Sequence, residues 1–147
     1  VVGMIYLYHV IILDVQLYNI SNLCNNKIII LGGYAKKLEF NIKDYDKKEI
    51  DIYIDTSNIN ELSNLDLSEM DNDFPYPIIK RFIGFYDDYF LDVFVSDRVP
   101  IYKMKNGLKY ATIEDDIEYF NLMYKNSNNE YFLNKLNENI KRLSRFI

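Results

Sequence analysis

The run Ile28-Ile-Ile-Leu-Gly-Gly-Tyr-Ala35, followed after one helix-length and a basic loop by Glu49-Ile-Asp-Ile-Tyr-Ile-Asp55, decides how this chain is read. Lys27 to Leu31 is short and almost continuously apolar, as expected of a strand covered on both faces. Gly32-Gly33 then admits backbone angles and close approaches closed to other residues, and Tyr34 to Phe40 has the length of a short helix. A strand that ends in two glycines and feeds a helix can present bare amides to a phosphate. Residues 49 to 55 alternate strictly. Period two places Glu49, Asp51, Tyr53 and Asp55 on one face and Ile50, Ile52 and Ile54 on the core face. Acids at i and i+2 beside a phosphate-binding turn can hold a metal ion, which is the layout of a site for nucleoside triphosphate chemistry. Asp55 lies on the order of 13 Å from Asp51 at strand rise, too far to share that ion.

Working outward, Phe82-Ile-Gly-Phe-Tyr86 and Tyr89-Phe-Leu-Asp-Val-Phe-Val95 flank Asp87-Asp88 and read as a hairpin. Phe90, Asp92 and Phe94 share a face of its second strand, and a carboxylate between two aromatics demands an explanation. Lys105-Asn-Gly107 marks a second hairpin between residues 100–104 and 108–111. Thr112-Ile-Glu-Asp115 has the form of a capping-box variant, with Ile113, Ile117, Phe120 and Tyr124 following at helical spacing. A last helix is expected from about Asn129, with Leu133, Leu136, Ile140, Leu143 and Ile147 as its apolar stripe. Residues 56 to 77 are rich in Ser, Asn, Asp and Leu and carry one expected short helix around Asn60 to Met70. At the other end Met4, Tyr8, Ile11, Ile12, Val15 and Tyr18 recur at helical spacing, although Val10-Ile-Ile-Leu13 also fits a strand.

With 147 residues the chain is long enough to bury a core, and nothing in it marks a linker or an internal repeat. A net charge of −5 disfavours general binding to a polyanion. Local basic patches remain at Lys36-Lys37, Lys43, Lys47-Lys48, Lys80-Arg81 and Lys141-Arg142 with Arg145, and scattered charge of this kind is usually a solvated face. The single cysteine, Cys24, excludes an internal disulfide, and the single histidine, His9, excludes histidine-based metal clusters. The apolar opening Val1 to Val15 falls short of the ~20 residues of a membrane span and lacks the marks of a signal peptide. A reducing, cytoplasmic setting with no membrane partner is expected, the host-cell cytoplasm if the source is viral.

Taken in this order, the pieces resemble the nucleotidyltransferase superfamily, in particular its small bacterial and viral members related to AbiEii-type toxins and minimal nucleotidyltransferases. Gly32, Gly33, Tyr34 and Ala35 match the glycine start of the helix. Glu49 and Asp51 match the acid-hydrophobic-acid strand, and Asp92 is the candidate third acid. The resemblance covers residues 20 to 125 in outline. It implies an α+β fold, a small mixed β-sheet flanked by helices with further helices at the C-terminus. The whole would be one nucleotidyltransferase-like domain over 1–147, its core at about 20–125 and a C-terminal helical part at about 112–147.

The implied activity is metal-dependent transfer of a nucleoside monophosphate from an NTP to a hydroxyl of RNA, protein or a small molecule. The implied setting is a toxin–antitoxin, defence or phage or mobile-element system. Glu49, Asp51 and Asp92 would be both the catalytic acids and the ligands of Mg²⁺ or Mn²⁺, with Asp92 serving the acceptor hydroxyl. Gly32, Gly33, Tyr34, Lys36 and Lys47 would contact the nucleotide. Expected partners are the NTP, an acceptor such as tRNA or a protein, and an antitoxin-like or assembly partner. The chain reads Tyr45-Asp-Lys-Lys48 where such proteins carry Arg and Thr, and Glu49 where Asp is more frequent. Those departures favour the alternative, a catalytically silent member of the fold acting as a binding or structural assembly protein, and 14 Tyr with 9 Phe would suit an assembly surface.

Overall fold

The computed structural model describes residues 15–145. In chain order the elements are α1 (residues 15–23), β1 (Ile28–Leu31), α2 (Gly32–Phe40), β2 (Glu49–Asp55), a 3₁₀ segment (Thr56–Asn64), β3 (Leu67–Met70), β4 (Ile78–Tyr86) and β5 (Tyr89–Ser96). Then come β6 (Tyr102–Lys105), β7 (Leu108–Ala111), α3 (Ile113–Ser127) and α4 (Glu130–Ser144). Met4 to Ile12, His9 and Ile147 lie outside the described residues, so only the end of the first predicted helix is seen.

The strands form one mixed sheet in the order β3-β4-β5-β2-β1-β7-β6. β2 and β5 run parallel at its centre, and both are rich in β-branched and aromatic residues that suit a pleated surface buried on two sides. Ile50, Ile52, Ile54, Leu91, Val93 and Val95 are fully buried and face α1, α2 and the 3₁₀ segment. The other sheet face is covered by α3 and α4, where Ile78, Phe94, Met123 and Phe132 form a second cluster. This is the α+β architecture expected, a mixed sheet with helices on both faces and two helices at its C-terminal end. No helix among the described residues is long and apolar enough to cross a membrane.

Local signals explain the joints. Asn106 and Gly107 both take positive φ, 51° and 81°, as a two-residue hairpin turn requires. Thr112 accepts a hydrogen bond from the Asp115 amide, as the capping pattern predicts, and Asn129, at the expected start of the last helix, accepts one from the Tyr131 amide.

Two expectations are corrected. No α-helix occupies residues 60–70. The Asp55 carboxylate accepts from the Ser57 amide and starts the 3₁₀ segment instead. Leu67–Met70 then becomes an edge strand, its register fixed by pairing with β4 from Leu67↔Gly84 to Met70↔Arg81. The stripe expected on α4 is also rotated slightly, with Leu133, Leu136 and Leu143 half-buried. Phe132 and Asn139 are the buried residues, whereas Ile140 is 47% exposed. Phe132 sets that rotation, because its ring stands against Phe74 and Phe120 in the second cluster.

Truncating Phe132 to Ala is therefore expected to lower unfolding free energy by about 3–5 kcal/mol, while Ile140→Ala should stay within about 0.5 kcal/mol of wild type. Urea denaturation of the two variants checks this, and the reverse ranking would restore the stripe read from sequence.

Candidate active site

The register brings the predicted acids together. Asp51 on β2 lies opposite Leu31, the last residue of β1, and beside Asp92 on β5. Because β2 and β5 are parallel and in register, both carboxylates project from the same sheet face, the one that α3 and α4 cover. Glu49 stands two residues earlier on that face and is exposed. The three acids line one cavity of about 550 Å³, together with Gly32, Gly33 and Lys47.

The glycines are placed by close approach. Gly32 has φ +63°, and a Cβ added to it would fall 2.5 Å from Asp51 Oδ2. A Cβ on Gly33 would collide with the Tyr45 hydroxyl. The helix they open has no side-chain cap, and its first turn holds no acid. Its leading amides, which helix geometry leaves without intrahelical partners, sit at the cavity beside Asp51.

Like charges and burial shape the electrostatics. Asp51 has its pKa raised to about 6, first by burial, then by the charges of Asp92 and Glu49, against the pull of Lys36 and Arg81. Asp92 is held on one side only. Its Oδ2 takes a 2.7 Å ion pair from Arg81, while Oδ1 is buried without a partner. The guanidinium of Arg81 stacks over the rings of Phe74 and Phe94, 4.5 and 5.0 Å from their centroids, and also pairs with Asp73 at 3.3 Å. Tyr45 lies over the same acids, and its pKa is pushed up to about 12 by burial, then by Asp51 and Glu49.

The remaining expected contacts are distributed differently. Lys36 lines the cavity but is ion-paired with Asp116 of α3. Tyr34 is buried away from the cavity lining, and its hydroxyl donates to the Lys47 carbonyl while its ring meets Tyr45 edge-on at 4.6 Å. It fixes the 44–48 loop. Burial raises its pKa, so it stays a neutral donor. Lys47 lines the cavity, is exposed, and its ammonium has no ion pair among the described residues.

Sequence reasoning treated Arg81 as solvated charge. The signal was present, since extending the Asp87-Asp88 hairpin pairs Arg81 with Phe94 and Ile83 with Asp92, which puts the cation diagonally beside the acid on one face. Asp116 and Tyr45 carried no such local signal.

Among the described residues no group of three or more His, Cys, Asp or Glu is drawn together tightly enough to hold a metal ion. The adjacent pair Asp51 and Asp92 nevertheless fits a divalent cation. It offers a hard oxygen donor set from two adjacent carboxylates, and burial together with their mutual repulsion raises the Asp51 pKa. Mg²⁺ is commonly held by one or two carboxylates with substrate phosphates completing its shell.

The mixed sheet with its flanking helices is a nucleotidyltransferase-like fold. The chain is similar to a solved structure described as the crystal structure of ANT(2")-Ia in complex with adenylyl-2"-tobramycin. The TM-score is 0.54, with 14% sequence identity over 89% of this chain and 87% of that one. Neither a protein-family model nor a curated protein matches the sequence.

Two outcomes are expected here. In the fold Asp51 keeps its proton up to about pH 6, but when unfolded only to the ordinary value of 3.8. It therefore favours the folded state fully below pH 3.8 and loses that contribution as pH rises to about 6. In chelator, Asp51→Asn should thus be more stable than wild type at pH 7.5, by on the order of 3 kcal/mol, and the gap should close near pH 4. A pH-independent gap in melting curves would remove the electrostatic account. Gly32→Ala should cost about 2–4 kcal/mol, from its left-handed backbone and the clash with Asp51. Denaturant titration would show it, and a neutral result would mean that the turn can relax.

Proposed function

We propose that this chain transfers a nucleoside monophosphate from an NTP to a hydroxyl. The observation that carries the reading is the Asp51–Asp92 pair set directly against the uncapped Gly32–Gly33 helix start. Oxyanions of the triphosphate would meet the free amides of that helix and the Lys47 ammonium. The pair Asp51 and Asp92 would hold Mg²⁺ or Mn²⁺, with exposed Glu49 lining the same cavity. Bound there, such an ion supplies charge neutralisation for the triphosphate. The acceptor oxygen attacks the α-phosphorus, and the bond from that phosphorus to the β-phosphate oxygen breaks, releasing pyrophosphate. Asp92 Oδ1, the carboxylate oxygen that Arg81 leaves open, takes the hydroxyl proton. Arg81, held against the stacked rings of Phe74 and Phe94, positions Asp92 through its ion pair with Oδ2.

The neighbour's structure holds an adenylylated small molecule, which supports a small acceptor here, with an RNA end or a protein hydroxyl as wider choices. A toxin–antitoxin, defence or mobile-element role rests on the sequence resemblance alone. A silent nucleotide-binding module is the second reading. It is favoured by the Arg81 pairing of Asp92 and by the absence of a three-acid metal cluster among the described residues.

Melting temperatures with each Mg-NTP separate the readings. Saturation at about 100 times Kd should stabilise wild type by about 2.7 kcal/mol, and Asp51→Asn should abolish the shift. Asp92→Asn should weaken the nucleotide shift less than Asp51→Asn does, while slowing pyrophosphate release by about 10²–10⁴-fold. A shift without any pyrophosphate release from wild type, across a panel of hydroxyl acceptors, supports the silent module. No shift with any NTP would sink both readings.

A further inference from the structure

Part of the cavity lining comes from α4 and has a different chemistry from the acid pair. Tyr131, Lys135, Asn139 and Arg142 follow one another at steps of four, four and three, so they share a helix face, and all four line the cavity. Asn139 is 4% exposed. Its amide is not among the buried polar groups left without a partner, and it takes part here as a polar group of the cavity lining. Arg142, one turn away, has no ion-pair partner among the described residues. The other charges on this side are committed. Lys135 pairs with Glu138 at 3.6 Å, Lys36 with Asp116, and Asp115 with Arg98 at 3.0 Å. Of the basic residues Lys141, Arg142 and Arg145, only Arg142 lines the cavity.

We propose that this face of α4 binds an anionic, phosphate-bearing group of the acceptor, as in a sugar phosphate. A guanidinium fork beside a carboxamide offers several convergent donors to phosphate oxygens, and the ring of Tyr131 offers a surface for the attached sugar. The triphosphate has its own donors in the Gly32–Gly33 amides and Lys47, which leaves Arg142 and Asn139 for the second substrate. This assignment of the second substrate rests on the reading of the Gly32–Asp51 end as the NTP site.

The test titrates ribose 5-phosphate, ribose and each Mg-NTP separately into wild type, Arg142→Gln, Arg142→Lys, Asn139→Asp and Asp51→Asn, with circular dichroism to verify folding. Ribose 5-phosphate affinity should fall about tenfold or more in Arg142→Gln and Asn139→Asp, recover in part in Arg142→Lys, and stay unchanged in Asp51→Asn. Mg-NTP affinity should show the opposite dependence. Equal binding of ribose 5-phosphate by wild type and Arg142→Gln, or equal binding of ribose and ribose 5-phosphate, overturns the phosphate subsite. Loss of Mg-NTP affinity in Arg142→Gln by the same factor assigns the face to the triphosphate tail and overturns the acceptor role. Arg142-dependent binding of ribose 5-phosphate with no binding of any NTP supports the phosphate subsite and overturns the nucleotidyl-transfer reading.

Discussion

Two carboxylates standing side by side on adjacent parallel strands repel each other, and much of the surrounding structure answers that repulsion. Asp51 and Asp92 share a register position across β2 and β5, whose backbones lie about 4.8 Å apart as in any sheet. The pair is tolerated because Asp51 binds its proton more tightly than a free carboxyl and because Arg81 neutralises Asp92. Arg81 is itself fixed against Phe74 and Phe94, which stack on each other, so Phe94, one of the two aromatics that flank Asp92 in sequence, helps to orient its counter-charge. A lysine could not do the same, lacking the planar group that stacks and donates at once.

Much of this was legible before the structure. The Ile28–Leu31 run, the double glycine and the strict alternation of residues 49–55 each follow from local rules, and together they brought Gly32, Asp51 and Glu49 to one end of the sheet. The hairpin turns at Asp87-Asp88 and Asn106-Gly107 were equally local. What could not be read is what pairing and packing decide. β3 is a four-residue edge strand whose sequence, Leu-Ser-Glu-Met, has weak strand preference and takes its conformation from β4. The rotation of α4 depends on where Phe132 finds its aromatic neighbours, since two overlapping stripes satisfy the same helical period. Tyr34 matched the expected motif by identity, but its burial and its bond to the Lys47 carbonyl give it a structural task.

A likeness in fold at 14% identity says how the chain is built and leaves its chemistry to its own side chains. Those side chains divide the cavity. Acids and bare amides gather where β1 ends and α2 begins, whereas α4 contributes Arg142, Asn139 and the paired Lys135 and Glu138. Such a division suits a site that receives two different groups.

The two layers of helices are also tied to each other past the sheet. Glu39 of α2 accepts a hydrogen bond from the Ile113 amide at the start of α3, and Lys36 of α2 pairs with Asp116 one turn later. Both members of that ion pair are largely shielded from water, at 14% and 11% side-chain exposure, unlike the open pair Lys48–Asp88 at 61% and 55%. Dissolved ions screen the open pair far more strongly than the shielded one. The tie between α2 and α3 is therefore the one that added salt should loosen least.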